Sequence, residues 1–226
     1  MAPAGYQHRY LDNDIVELPV GKVVCVGRNY ARHIEELKNK TPKEPVLFIK
    51  PASSIVSLEK PLTLPKDKGA CHFETELALL IGDPNTDSPL PGSNTCIAGY
   101  GLGLDLTLRD IQEQLKVEGL PWEKAKAFDG ACVISPFVKP DVIEDVQTIQ
   151  LRLTQNGTIR QDSNTASMIT PVSTLLAYIN TWFTLQPGDI VLTGTPEGVG
   201  PLESGDRLEV ELVGLCRFQT RVNWKR

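Results

Sequence analysis

Two glutamates separated by a single residue, Glu74 and Glu76, lie in an otherwise apolar stretch of the chain. If residues 73–81 form one buried strand, alternate side chains point to the same face, and both carboxylates project into the same space. Two such carboxylates repel each other and lose hydration, and a bound divalent cation offsets both penalties. Mg²⁺, Mn²⁺ and Ca²⁺ prefer carboxylate oxygens. The pair is compatible with a cation site, but taken alone it favours a solvent-facing pair on an edge strand, so the other residues of the chain must decide.

A third carboxylate, Asp105, stands in the apolar run of residues 101–106. Burial of a lone aspartate is unfavourable, so Asp105 either caps the segment that follows it or joins the two glutamates. Three oxygen ligands would leave about half of an octahedral Mg²⁺ shell open for water and substrate. That arrangement is typical of a catalytic site and not of a structural one.

A histidine and a glutamate, His33 and Glu36, follow the polar turn of residues 27–30. In a helix this spacing puts both side chains on one face. A carboxylate beside an imidazole fixes its tautomer and raises its basicity, which makes a pair that can activate water. The alternative interpretation is an ordinary surface pair, and the preceding turn favours the functional one because sites often form on such turns.

Two further segments carry polar groups suited to binding. Lys126 could stabilise negative charge on a carbonyl oxygen, or it could belong to a solvated charged loop. The glycine-rich residues 193–200 lack the phosphate-loop lysine and the dinucleotide fingerprint, which argues against nucleotide binding. Their amides and the Thr195 hydroxyl could hold a small carboxylate, and the alternative is a tight connection between strands.

The scaffold for these residues consists of short apolar runs separated by turn signals, with few helical patterns. Asn156-Gly157 between two β-prone runs predicts a hairpin. We predict one β-rich α+β domain without internal repeats. The expected strands cover residues 23–26, 46–49, 73–81, 97–106, 149–154, 158–161, 189–193 and 208–213. The expected helices cover residues 30–38, 107–119 with Thr107 as N-cap, and 171–183.

Charge and cysteine content exclude several classes of protein. A formal net charge of −5 over 226 residues argues against nucleic acid or an anionic membrane surface as partner. The apolar stretches are too short for a membrane span, and the N-terminal residues lack a signal-peptide pattern. Five scattered cysteines without a Cys-x-x-Cys pattern predict free thiols in a reducing compartment. We therefore expect a soluble cytoplasmic protein.

Five segments, taken in order, resemble the fumarylacetoacetate hydrolase family, and within it the short, single-domain members known as acylpyruvases. One departure is Phe73, where many relatives have a histidine, which bears on the surroundings of the ligands and not on the ligands themselves. The segments are Val26-Gly27-Arg28-Asn29-Tyr30-Ala31-Arg32-His33, Phe73-Glu74-Thr75-Glu76-Leu77, Gly103-Leu104-Asp105-Leu106-Thr107 with Arg109-Asp110, Ala125-Lys126-Ala127-Phe128 and Thr193-Gly194-Thr195-Pro196-Glu197-Gly198-Val199-Gly200.

The resemblance implies a mixed β-roll, a homodimer and a small 2-oxo acid as substrate. It implies an N-terminal extension over residues 1–19 and one catalytic domain over residues 20–226. The implied site residues are Glu74, Glu76 and Asp105 as ligands of Mg²⁺ or Mn²⁺, His33 and Glu36 as a catalytic pair on a short helix that closes over substrate, Lys126 as the active-site lysine, and Gln112, Thr195 and Arg28 as substrate contacts.

For the activity, we expect hydrolytic cleavage of a C–C bond in acylpyruvates through a pyruvate enolate. Oxaloacetate offers the same chelating group, so its decarboxylation or its keto–enol tautomerisation is the alternative. An isomerase acting on a dicarboxylic intermediate and a non-catalytic binding member are further possibilities. The presence of His33, Glu36 and Lys126 beside the three carboxylates disfavours the binding-only interpretation, since binding alone needs only the ligands.

Overall fold

A computed structural model describes residues 5–38 and 40–225 of the chain. Short strands dominate these residues, and most of them follow the apolar runs of the sequence. The strands are β1 (Val23–Gly27), β2 (Val46–Lys50), β3 (Ile55–Ser57), β4 (Leu62–Leu64), β5 (Cys71–Phe73), β6 (Thr75–Ile81), β7 (Ile97–Asp105), β8 (Thr107–Leu108), β9 (Cys132–Ile134), β10 (Gln150–Gln155), β11 (Thr158–Asn164), β12 (Ile190–Leu192), β13 (Gly200–Pro201), β14 (Arg207–Leu212) and β15 (Cys216–Trp224).

The helices are few and short. Helix α2 buries Arg109, Gln112 and Leu115, which its periodicity places on one face, and it ends at Gly119 in the left-handed region with φ +67°. The α-helices are α1 (Ala31–Glu36), α2 (Arg109–Glu118), α3 (Glu123–Lys126) and α4 (Val172–Asn180). Short 3₁₀ segments cover Ala52–Ser54, Pro140–Val142, Val146–Thr148 and Thr165–Ser167.

A mixed seven-stranded sheet in the order β2-β1-β12-β6-β7-β9-β3 forms the centre of the molecule. Strands β6 and β7 pair antiparallel in its middle and are buried along their whole length. A five-stranded sheet, β11-β10-β14-β15-β4, and a three-stranded sheet, β13-β5-β8, complete the fold. The predicted β-rich α+β class is confirmed, because helices only connect and cover the curled sheets.

The main hydrophobic core lies between the two larger sheets. Leu77 and Leu79 of β6 pack in one cluster with Leu151, Leu153 and Val210 of the five-stranded sheet. A second cluster on the other face of the central sheet contains residues of β1, β6 and β12, and residues before β1 pack against it. Alternate residues of β6 thus serve two cores, which explains why the strand reads as continuously apolar.

The segment before β1 is held against the domain by a buried histidine. The Nε2 atom of His8 is 3.1 Å from the carbonyl oxygen of Gly188. Val16 is buried in the second core cluster. In the described residues, no helix is long and apolar enough to cross a membrane, and the five cysteines are free thiols.

Two local predictions are wrong. Residues 73–81 do not form one strand, because the chain passes from the three-stranded to the seven-stranded sheet at Glu74, which lies between β5 and β6. Thr107 does not cap α2: it belongs to β8, and the N-cap position is Leu108, which makes no side-chain capping bond. The Thr107 hydroxyl instead accepts a hydrogen bond from Lys126 at 2.6 Å. In both cases a site contact replaces a regular local structure.

Candidate active site

The three carboxylates predicted as cation ligands lie side by side where β6 and β7 meet. Glu76 is paired with Gly103, and Asp105 is the last residue of β7. The backbone N–H of Asp105 donates to the carbonyl oxygen of Glu74 at 2.9 Å. All three side chains are buried, and one carboxylate oxygen from each lies within 4.8 Å of the others. The sheet register therefore holds three like charges in one place.

This donor set fits a hard divalent cation. Burial raises the pKa of Glu76 well above its ordinary value, and the nearby Asp105 and Glu74 raise it further. Its carboxylate accepts one hydrogen bond, from the Gly194 amide at 2.7 Å. A divalent cation would pair with all three carboxylates at once and remove this penalty, and carboxylate oxygens are the ligands that Mg²⁺ and Mn²⁺ prefer.

Lys126 touches two of the three carboxylates. Its Nζ atom donates to Glu74 Oε2 at 2.8 Å and to Asp105 Oδ2 at 2.6 Å. Burial would lower the pKa of Lys126, but Asp105 and Glu74 outweigh it and raise the pKa above its usual value. Burial would likewise raise the pKa of Glu74, yet Lys126 and then Arg109 hold it well below its usual range. Both groups are therefore charged at neutral pH.

Lys50, a residue that the sequence patterns did not single out, completes the charge balance. It ends β2, is fully buried, and its Nζ atom lies 2.8 Å from Asp105 Oδ1. The same ammonium group donates to the backbone carbonyls of Ala131 at 3.0 Å, of Leu106 at 3.3 Å and of Lys126. Lys50 therefore ties Asp105 to the backbone of Lys126. Lys50 could have been identified from the sequence because it follows an apolar run, and burial of a lysine is unfavourable unless its charge is paired.

Arg109 is the second residue that the site recruits beyond the predicted set. It is the first residue of α2, and its guanidinium donates to Glu74 through Nη2 and to Gln112 Oε1 through Nη1 at 2.8 Å. Gln112 is thereby held one turn along the helix, with its amide group facing the same space. The spacing of three residues between them, which places both on one helix face, was a usable signal.

The predicted histidine–glutamate pair forms on α1. His33 Nδ1 lies 3.3 Å from Glu36 Oε2, and the other oxygen of Glu36 accepts from the Gly198 amide at 3.0 Å. His33 is 5% exposed, whereas the Glu36 side chain is 32% exposed. Burial lowers the pKa of His33, and the charges of Glu74 and Glu36 oppose that shift only in part. The imidazole is therefore neutral at neutral pH.

The glycine-rich loop connects both sets of residues. Gly194 has φ +98°, and a Cβ at that position would meet the Cβ of Asn29 at 2.8 Å, so only glycine fits. The backbone N–H of Gly194 donates a hydrogen bond to the carboxylate of Glu76, and the backbone N–H of Gly198 donates one to the carboxylate of Glu36. The buried Thr195 hydroxyl accepts from the Gln161 amide at 2.8 Å.

All of the predicted site residues except Glu36 line one small cavity of about 40 Å³, and Glu36 reaches it through His33. The backbone of Arg28 at its edge lies in the left-handed region with φ +62°. This volume admits an ion or a few water molecules and is small for an organic acid. The lining residues are Val26, Gly27, Arg28, His33, Leu37, Phe48, Glu74, Glu76, Asp105, Arg109, Gln112, Lys116, Trp122, Lys126 and Thr195.

Comparison with known families and proteins gives consistent matches. The model of the family described as fumarylacetoacetate (FAA) hydrolase C-terminal matches residues 22–223. The chain is 50% identical over 210 residues to the oxaloacetate tautomerase YcgM of Escherichia coli, and the match covers 92% of this chain and 96% of the relative. It is 40% identical over 200 residues to the mitochondrial oxaloacetate tautomerase FAHD1 of Mus musculus, covering 88% and 90% of the two chains.

Among solved structures, a fumarylpyruvate hydrolase from Pseudomonas aeruginosa, in complex with Mn²⁺ and pyruvate, matches with a TM-score of 0.89. It is 36% identical in sequence, and the match covers 100% of this chain and 97% of the other. The same fold thus accommodates a divalent cation and a 2-oxo acid in that protein.

Proposed function

The chain belongs to the fumarylacetoacetate hydrolase family, and on that premise we propose that it catalyses the keto–enol tautomerisation of oxaloacetate at the three-carboxylate centre. The observation that carries the proposal is the 50% identity with the Escherichia coli oxaloacetate tautomerase, along nearly the whole of both chains. The mouse relative has the same activity in its name. These relatives favour the tautomerase alternative over the hydrolysis of acylpyruvates that the sequence alone led us to expect first.

Glu74, Glu76 and Asp105 would hold a Mg²⁺ or Mn²⁺ ion, since carboxylate oxygens suit both. When bound, this ion supplies Lewis-acid stabilisation of negative charge on a substrate oxygen. The protein adds positive charge of its own, because Lys126 and Arg109 both contact Glu74. Fixed cations at the position where an enolate oxygen gains charge lower the barrier without reorganisation.

His33 is the group that moves the proton. Burial keeps its imidazole neutral, and Glu36 occupies Nδ1, which leaves Nε2 to exchange a proton with the ligand. Nε2 takes the hydroxyl proton of the enol, and the imidazolium then returns a proton to C3. One O–H bond is lost and one C–H bond is formed, so the reaction needs no water and no further reactant.

Arg28, Gln112 and Thr195 are the proposed substrate contacts, since all three line the cavity. The cavity is too small for a four-carbon acid, so an element at its edge must move aside. Helix α1 is the proposed mobile element. It is short, and its outward Arg32 meets Glu197 of the glycine-rich loop only through an exposed ion pair of 3.4 Å.

Hydrolysis of acylpyruvates is the second candidate, and the match to the Pseudomonas aeruginosa fumarylpyruvate hydrolase favours it. In that reaction His33 and Glu36 would activate water, and the same cations would stabilise the departing pyruvate enolate. The two candidates share the site and differ only in whether water attacks. Decarboxylation of oxaloacetate would use the enolate stabilisation alone.

The test is parallel turnover of enol-oxaloacetate, acetylpyruvate and fumarylpyruvate with Mg²⁺, with Mn²⁺ and with EDTA. We expect fast cation-dependent conversion of enol- to keto-oxaloacetate, with slower cleavage of the two acylpyruvates. Faster cleavage of an acylpyruvate would favour the second candidate. Absence of cation-dependent turnover with all three substrates would reject both.

A further inference from the structure

The inward face of α2 carries three polar side chains in a row. Arg109, Gln112 and Lys116 are spaced three and four residues apart, so they share one helix face. All three line the candidate cavity. Arg109 is engaged with Glu74, and Gln112 accepts a hydrogen bond from Arg109. Lys116 is the outermost member of this row.

Lys116 is a half-buried cation without a carboxylate partner. In residues 5–38 and 40–225, no aspartate or glutamate oxygen lies within ion-pair distance of its Nζ atom, which sits 5.6 Å from the centre of the Trp122 ring. Burial lowers the pKa of Lys116, and the positive charges of Arg109 and Arg28 lower it further, while the negative charge of Glu74 opposes this shift only in part. The cavity lining thus brings Lys116 together with other cations, besides the three carboxylates.

The ordinary role of a helix-surface lysine is to extend into water. Lys124, on the neighbouring helix α3, is exposed and fits that role. Lys116 differs, because its side chain is half-buried against Trp122 and lines the cavity. A cation placed among other cations is stabilised by an anionic group of a ligand.

We propose that Lys116 binds the distal carboxylate of dicarboxylic 2-oxo acids, and that it thereby makes the site prefer these acids over analogues with an uncharged tail. The inference rests on the proposed function, which places the 2-oxo acid end of the substrate at the three carboxylates. Beyond the proposed function, it identifies Lys116 as a residue that determines specificity and assigns the distal carboxylate of the substrate to it.

The helix geometry supports this assignment. Residue 116 is one turn beyond Gln112, about 6 Å along the helix axis. Side chains of an α-helix tilt toward its N-terminus, so Lys116 leans back over Gln112 and toward the carboxylates. A ligand anchored at the carboxylates therefore presents its far end to Lys116, whereas Arg109 is already committed to Glu74.

A ligand with an apolar tail would contact different residues. A second cavity of about 390 Å³ shares Phe48, Trp122 and Lys126 with the candidate site and is otherwise mostly apolar, with Leu120 and Phe183 in its wall. The Phe48 and Trp122 rings, whose centroids are 6.0 Å apart, line both cavities. A tail without charge would be drawn to this side and would not depend on Lys116.

The experiment uses the Mg²⁺-loaded full chain and two probes that differ in the distal group, 3,3-difluoro-oxaloacetate, which cannot enolise, and 3,3-difluoro-2-oxobutanoate. Their affinities are measured by titration calorimetry for the wild type, Lys116→Met, Lys116→Arg and the exposed control Lys124→Met. Methionine keeps the aliphatic stem over Trp122 and removes only the charge. Turnover of enol-oxaloacetate is measured on the same preparations.

We expect Lys116→Met to weaken the binding of 3,3-difluoro-oxaloacetate by about 10- to 100-fold, the size of one charge-assisted hydrogen bond. The affinity for 3,3-difluoro-2-oxobutanoate should stay within about twofold of the wild-type value. Lys116→Arg should restore part of the loss, and Lys124→Met should match the wild type. If Lys116→Met lost affinity equally for both probes, or lost affinity for neither, the assignment would be overturned. Wild-type turnover of enol-oxaloacetate with equal affinity for both probes would overturn it while leaving the proposed function intact.

Discussion

The two halves of the candidate site are built by different parts of the fold. The carboxylate half is fixed by strand register and by buried ion pairs, with Lys50 and Lys126 both within 2.8 Å of Asp105. The proton-transfer half, His33 and Glu36, stands on a helix of six residues. Its links to the glycine-rich loop are the hydrogen bond from the Gly198 amide to Glu36 and the exposed ion pair of Arg32 with Glu197. The fold therefore fixes the charges, and we propose that the base stands on an element that moves to admit substrate.

The largest effect is expected from removing a ligand in the fixed half. Glu76→Gln keeps the shape of the side chain and removes its charge. We expect loss of bound cation by elemental analysis and a fall in turnover of about 10²-fold or more. Glu113→Gln, on the exposed face of α2, is the control and should keep both.

The same variant tests the electrostatics of the carboxylate half without a cation. The pKa of Glu76 is raised by burial and by its two neighbours, so its ionised form destabilises the cation-free fold as pH rises. At neutral pH Glu76→Gln should therefore melt at the wild-type temperature or above it in EDTA. It should also lose the stabilisation that Mg²⁺ gives the wild type. A clear drop in the EDTA melting temperature would contradict this account.

The next effect concerns the buried lysine of the fixed half. Lys50→Met leaves one oxygen of Asp105 without its cation, and removal of one partner of a buried pair costs about 3–5 kcal/mol. Chemical denaturation should report a loss of that size. Lys22→Met, which breaks a partly exposed ion pair with Asp189, should lose about 1 kcal/mol or less. Similar losses for both variants would mean that Lys50 has no special role.

In the mobile half, removal of the base should affect the reaction and not the fold. His33→Ala is expected to lower turnover by about 10²- to 10⁴-fold while the bound cation and the melting temperature stay near wild type. Arg32→Ala, on the exposed side of the same helix, is the control. Loss of the cation in His33→Ala would show that the two halves are not independent.

The smallest effect is a shift of the pH profile. Because burial lowers the pKa of His33, the neutral base persists below pH 6.5 and activity falls only at lower pH. Glu36 opposes that shift, so Glu36→Gln should lower the pKa further and move the acidic limb to lower pH, besides reducing the rate. A shift of the acidic limb to higher pH in Glu36→Gln would contradict the pairing of His33 with Glu36. The profile of turnover against pH for both proteins is the measurement.

The sequence predicted the carboxylate half from alternation in an apolar strand, although the strand is interrupted at Glu74. It predicted the hairpin around Asn156-Gly157 and the end of α2 at Gly119, because both are set by local backbone preferences. Lys50 was not predictable in this way. Its partners lie at the end of β7, between β7 and β8, at the end of α3 and just before β9. All are far along the chain, and no local pattern encodes a contact of that range.

The long strand β15 was also missed, although its sequence carries a strand signal. Cys216, Phe218, Thr220, Val222 and Trp224 alternate with polar residues, as in a half-buried strand. The small sheet that contains β5 and β8 was missed because strands of two or three residues leave no periodic signal. Strand β5 leads into Glu74, and β8 leads into α2 and places the Thr107 hydroxyl in contact with Lys126.

We propose that a cation-loaded carboxylate centre and His33 together interconvert the enol and keto forms of oxaloacetate. The most direct measurement follows enol-oxaloacetate by NMR with the Mg²⁺-loaded wild type and with His33→Ala. We expect rapid appearance of the keto form before any pyruvate, and loss of this rate in His33→Ala and in EDTA. Direct appearance of pyruvate without prior keto product, or an unchanged rate in His33→Ala, would contradict it.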